Sequence, residues 1–100
     1  MILNTSQLVL NTLERKITPL AAKLRFTAEE RIAIRILAET NRYAEDFIDL
    51  LNTGYHVDLN RDDFKNGLFF LRGAGILTED RVNQILNSPI LETEIYRGAL

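Results

Sequence analysis

Asp58-x-Asn60-x-Asp62 sets three oxygen-bearing side chains at alternate positions, the spacing with which a calcium-binding loop begins. Such a loop also needs a glycine at its sixth position for the sharp turn and a bidentate glutamate at its twelfth. Asp63 and Phe69 stand there instead, so the three residues read as turn and capping groups ahead of a helix. His56 is the sole histidine and there is no cysteine, which leaves no side-chain set for a metal centre and no thiolate chemistry. Ser6 and Ser88 are the serine nucleophile candidates, and no spacing sets either beside His56. The carboxylate pairs Asp62/Asp63 and Glu45/Asp46 are adjacent in sequence, so on a helix their members point in different directions. Gly73-Ala74-Gly75 lacks the preceding strand and third glycine of a phosphate-binding turn. The residues therefore predict neither an enzyme nor a cofactor.

The stretch over residues 57–86 organises the chain. After a short extended Val57-Asp58-Leu59, Phe64, Leu68 and Leu71 recur at helical steps of four and three. Gly73 and Gly75 then stop that helix, and Thr78 is placed to cap the next one, with Glu79 and Asp80 in its first turn. Leu77 and Val82 occupy the two positions of a hydrophobic staple. Two helices about a glycine turn, over residues 64–72 and 79–86, have the outline of a helix-turn-helix DNA reader. The would-be recognition helix, however, opens on two carboxylates opposed only by Arg81, which repels phosphate. Nucleic acid is therefore not an expected partner.

Upstream, apolar steps among Leu8, Leu10, Leu13 and Ile17 predict a helix over residues 6–17, with a short strand at residues 7–10 as the alternative. Pro19 suits the first turn of a short helix ending at Leu24. Thr27 and Glu30 form a capping box for a helix reaching Thr40. In it Ile32, Ala33, Ile36 and Leu37 form the expected buried stripe with Ile34 on its edge, while Arg31, Arg35 and Glu39 face water. A helix over residues 42–52 carries Tyr43, Phe47, Leu50 and Leu51 on one face and stops at Gly54. Ser88-Pro89 is placed to start one more helical turn.

The expected fold is mainly all-α, a single domain of four to five short helices, with one minor β pairing between residues 7–10 and 55–59. Its expected core is Ile32, Ile36, Leu37, Phe47, Leu51, Phe64, Leu68, Leu71, Leu77, Val82 and Leu86. Residues 26–87 form the helical core domain, residues 1–25 an N-terminal segment packing on it or extending from it, and residues 88–100 an apolar C-terminal segment. A chain of 100 residues, 46% apolar and 26% charged, suits one modest folded core. No apolar run is long enough for a membrane span and no signal-peptide pattern opens the chain, so no membrane partner is expected. Residues 15–42 hold seven basic against three acidic side chains within an overall net charge of −2, and solvated helix faces account for that excess.

The pattern Phe26-Thr27-x-x-Glu30-Arg31-x-Ala33-Ile34, Asp46-Phe47-x-Asp49-Leu50-Leu51, Val57-Asp58-Leu59, Gly67, Leu71, Gly75-Ile76-Leu77-Thr78 and Arg81-x-x-x-Ile85-Leu86 resembles a group of small tailed-bacteriophage proteins. Many of these are uncharacterised, and they are associated with genes of the tail and virion module. The resemblance spans residues 26–86 and supplies no catalytic residue. It implies a virion protein, structural or assembly, that contacts a larger tail or fibre protein or a second copy of itself. The alternative it leaves is an early protein of the host cytoplasm that binds a host factor or regulates transcription. The C-terminal segment is too apolar for an idle tail. It either folds back on the core, the commoner outcome for such a segment, or meets a partner or second copy, with Ile90, Leu91, Ile95 and Tyr96 as the expected partner-binding residues.

Overall fold

Polar side chains start four of the five helices in the computed structural model, which describes residues 15–96. Thr18 accepts from the Ala21 N–H and opens α1 (Pro19–Leu24), with Pro19 in the first turn as its fixed φ favours. Thr27 and Glu30 exchange hydrogen bonds of 3.1 and 2.8 Å in a complete capping box ahead of α2 (Ala28–Ala38). Asn41 accepts from the Tyr43 and Ala44 amides to start α3 (Arg42–Thr53). Thr78 does the same for Arg81 at the head of α5 (Glu79–Asn87). Between them α4 (Asp62–Gly73) follows a turn in which Asp58 Oδ1 accepts from the Asn60 N–H, the turn role expected of that residue.

The end of α4 shows why a glycine stands at position 75. The Gly75 N–H reaches the Arg72 carbonyl and the Ile76 N–H reaches the Leu71 carbonyl, the paired bonds of a Schellman closure. Gly75 takes the left-handed conformation that this closure requires, with φ of 83°. Leu77 and Val82 are then delivered buried on either side of the Thr78 cap.

A two-residue antiparallel pairing joins β1 (Lys16–Ile17) to β2 (Val57–Asp58), with Ile17 opposite Val57. One minor β pairing is thus present and uses the expected second strand, but its first strand is Lys16–Ile17, whereas the expected partner at residues 7–10 lies outside the described residues. That end of the chain is extended where a helix over residues 6–17 was expected; the rest of that helix, and the strand alternative at 7–10, lie outside the described residues. Thr18-Pro19 accounts for the change, since a residue before proline is pushed out of the helical region. On the other edge of β1, Ile95 bridges Ile17, and a 3₁₀ turn at Glu92–Glu94 precedes it. Among the described residues the helical turn after α5 is therefore at Glu92–Glu94, whereas Ser88 closes α5 in an extended conformation.

Phe47 lies at the centre of the core. Its ring meets Phe26 edge-on at 6.2 Å and stacks on Phe64 at 5.9 Å. A Cβ at Gly67 would overlap the same ring, so this position on α4 is held to glycine by close approach. Phe47, Leu51, Phe64, Leu68, Leu71, Leu77, Val82 and Leu86 are buried as expected, joined by Ile17, Leu59 and Ile85. Two expected core residues are not. Ile32 and Ile36 are 58% and 61% exposed, while Ile34, expected on the edge, is 4% exposed; Leu37 is half-buried against the core. The physical reason is ionic. Glu30 binds Arg81 on α5, and Arg31 turns inward to donate to the Phe26 carbonyl at 2.6 Å rather than facing water. Both anchors lie on the Ile34 side of the helix and fix its rotation.

Candidate interaction surfaces

The outward face of α2 is built by the anchors of its inward face. Arg81 grips both Glu30 oxygens at 2.7 and 2.8 Å, donates to the Arg25 carbonyl, and meets Gln84 at 2.7 Å. The Arg81 guanidinium holds the Glu30 carboxyl below its ordinary range, and the same hydrogen bonds raise Arg81 above its own. With Glu30, Arg31 and Ile34 turned inward, Ile32 and Ile36, one turn apart, project from the opposite side. Arg35 and Glu39, also one turn apart and both exposed, run along one flank of that stripe. Leu20 and Leu24 on α1 form a second exposed pair at the same spacing. Tyr43, Tyr55, Phe69 and Leu91 are exposed as well, but they lie on other elements and form no such one-turn pair on a single helix.

A second concavity runs between α3 and α4. Two cavities of about 400 and 430 Å³ share Leu50 and Asp63 in their linings. One is flanked by Tyr43, Asp46 and Phe70; the other by Tyr55, His56, Asp58 and Arg61. Tyr43 leans on Phe70 at 5.7 Å. Asp63 is held by Arg61 at 3.0 Å and accepts from the Phe64 amide, so its carboxyl sits below the ordinary range, chiefly through the Arg61 hydrogen bond. His56 lies 5.0 Å from Tyr96, ring to ring. Among the described residues no group of His, Cys, Asp and Glu converges on a metal position, and no helix is long and apolar enough to cross a membrane.

The four expected partner-binding residues do not form one surface. Ile90 is half-buried against the core, Ile95 is half-buried on Ile17, and Tyr96 is half-buried on His56; Leu91 alone projects into solvent. The segment is tied down between them. Glu94 pairs with Arg25 at 3.1 Å, their side chains only 16% and 6% exposed, and its carbonyl accepts from the Thr18 amide. Arg25 also donates to the carbonyls of Ile85 and Ser88, capping the end of α5. Arg15 similarly reaches Asn60 and the Leu86 carbonyl, and burial lowers its pKa, with the Arg25 charge adding to that. Sequence reasoning missed Arg25, Arg81 and Glu94 as a structural network, because nothing in their spacing links residues so far apart in the chain. Ser88 belongs to that network through its carbonyl, and Ser6 lies outside the described residues.

No family model, curated protein or solved structure matches this chain.

Proposed function

We propose that this chain works by protein–protein contact and not by catalysis, with the outward face of α2 as its contact surface. The observation that carries the reading is the exposure of Ile32 and Ile36 on a helix whose opposite side already supplies its core packing. Another molecule laid over that second face would remove its apolar area from water and so gain free energy on binding. Three chemistry-bearing side chains add support through structural engagements: His56 with Tyr96, Asp63 with Arg61, Glu30 with Arg81. The resemblance of residues 26–86 to tailed-phage proteins gives the contact a setting, a small structural or assembly component bound to a tail or tail-fibre protein.

Quantitative mass spectrometry on purified particles of the source phage tests this reading. Several copies per particle, retained through a high-salt wash and lost in a folded Ile32→Glu/Ile36→Glu variant, are the expected result. Absence from particles, with abundance in infected cells, would remove the virion role and leave a host-directed binder. A particle that incorporates the variant normally would remove the α2 face from the contact.

A further inference from the structure

We infer that a pocket between α1, α2 and α3 binds an acidic peptide segment of another protein, seating one apolar side chain of that segment within a ring of cations. The inference goes beyond the α2 contact proposed above, because the pocket lies on the Ile34 side of the helix and not on the Ile32 and Ile36 face. Its floor is apolar: Phe26, Ile34 and Leu51 are buried there, and Ile48 is half-buried. The cavity measures about 50 Å³. That is space for about four water-sized atoms, the heavy-atom count of a leucine side chain. Its rim is cationic. Lys23, Arg31 and Arg35 line it, and among the described residues no carboxylate does.

Among the described residues, Arg25, Arg61, Arg72 and Arg81 have ion-pair partners within the domain, whereas Lys23, Arg31 and Arg35 have none. Like charges gathered at one pocket repel one another, and an anion placed among them offsets that repulsion. Arg31 is already held in place for this. Its Nη1 donates to the Phe26 and Lys23 carbonyls at 2.6 and 3.4 Å, which leaves Nε and Nη2 open, among the described residues, to an incoming carboxylate. A guanidinium fixed in advance loses little further freedom on binding. The size of the cavity selects the source of the anion. An acyl chain is far longer than the pocket, a free inorganic anion has no apolar part to cover the floor, and a nucleobase is a wider ring than a leucine side chain. A peptide with Asp or Glu on both sides of one leucine-sized residue meets floor and rim together.

Titration of the isotope-labelled full chain at low salt with the capped peptide Asp-Glu-Leu-Glu-Asp, followed by amide chemical shifts, tests the inference. Saturable shifts centred on Ile34, Ile48 and Leu51 are expected. The control peptides Asp-Glu-Ser-Glu-Asp and Lys-Lys-Leu-Lys-Lys should bind about tenfold more weakly or worse. Lys23→Glu and Arg35→Glu should each weaken the acidic peptide about tenfold, while Lys23→Arg, which keeps the charge, should bind like wild type. Circular dichroism melts confirm that each variant folds, and Arg35→Glu, at an exposed position, carries the test if Lys23→Glu does not. An acidic peptide that causes no saturable shift at millimolar concentration, or shifts that lie away from the pocket, overturns the inference. Equal binding of the leucine and serine peptides overturns it as well, because the apolar floor would then take no part. Phosphatidylserine vesicles that bind wild type but not Arg35→Glu, with the peptide inert, would overturn it in favour of a lipid surface. A wild type that dimerises where Arg35→Glu does not, again with the peptide inert, would overturn it in favour of a second copy. The α2 contact stands or falls separately, by the Ile32→Glu/Ile36→Glu particles.

Discussion

Helices α2 and α3 are packed neighbours of 11 and 12 residues, each opened by a side-chain cap, yet they treat solvent differently. On α3 the inward side is Ala44, Phe47 and Leu51, and the outward side is Arg42, Glu45, Asp46 and Asp49, with Tyr43 as its one large exposed ring, leaning on Phe70. On α2 the inward side is Ile34 with Leu37, and the outward side is again apolar at Ile32 and Ile36. An amphipathic helix orients itself, because only one rotation removes its apolar stripe from water. A helix apolar on both sides gains similar burial from either rotation, so weaker and more specific forces decide. On α2 those forces are the Glu30–Arg81 pair and the Arg31 hydrogen bond to Phe26. The face left outside is then free to serve another molecule.

The largest effects that would break this comparison lie at the inward residues. Phe47→Ala on α3 should cost about 3–5 kcal/mol, since it empties the centre of the aromatic stack. Ile34→Ala on α2 should cost about 2–5 kcal/mol by the same cavity reasoning. Urea denaturation measures both. An Ile34→Ala variant as stable as wild type would mean that α2 does not face the core through Ile34.

The ionic anchor of α2 gives the next effect and a pH signature. Glu30→Gln keeps a capping-box side chain but removes the charge that Arg81 binds, and should cost about 1.5–3 kcal/mol at neutral pH. The folded pKa of Glu30 lies below its unfolded value. Its contribution is therefore fully present above the unfolded glutamate pKa, near 4.3, and disappears as pH falls through the lower folded value. The stability gap between wild type and Glu30→Gln should accordingly close on acidification below about pH 4. A gap constant from pH 7 to pH 3 would show that the charge of Glu30 does not hold α2 in place.

On the α3 side, Gly67→Ala sharpens the contrast. The added methyl group meets the Phe47 ring, which Phe26 and Phe64 hold from other directions, so the ring cannot yield freely. Overpacking of this kind should cost about 1–3 kcal/mol, although alanine is the better helix former. A stabilised Gly67→Ala variant, read by thermal melting, would show that α3 and α4 separate readily and that the groove beside them is soft.

Much of this fold was legible in the sequence because its signals were local. Thr27 and Glu30, Thr78, Pro19 and the pair Gly73 and Gly75 each act within a few residues, and each marks a boundary where one was expected. The helical stripe through Phe64, Leu68 and Leu71 was legible because the opposite face of α4 is largely polar, Phe69 excepted. What escaped were relations between distant residues. Arg25 with Glu94, Arg81 with Glu30, and β1 with β2 pair positions whose chemistry is generic until the chain brings them together. The rotation of α2 escaped for the same reason, since Ile32, Ile34, Ile36 and Leu37 supply two overlapping stripes, and the contacts that select between them are Glu30 with Arg81 and Arg31 with the Phe26 carbonyl. Legibility of the candidate site followed from that: Ile32 and Ile36 carried an apolar signal that sequence alone assigns to the core.

The smallest expected effect tests the comparison most directly. Ile32→Ser and Ile36→Ser, made singly or together, exchange residues of similar helix propensity at exposed positions. Each should change the stability of the dilute protein by no more than about 0.5 kcal/mol. The same exchange at Ile34 would bury a hydroxyl and leave a void, and should cost several times as much. A large loss at Ile36 with a small one at Ile34 would reverse the rotation of α2 and restore the stripe that periodicity alone suggests. Concentration adds a second readout. A partner that covers Ile36 stabilises the folded state by mass action, so the wild-type unfolding midpoint should rise with the concentration of that partner. In the Ile32→Ser/Ile36→Ser variant that rise should vanish while the dilute midpoint stays put, because the face contributes to association and not to the fold.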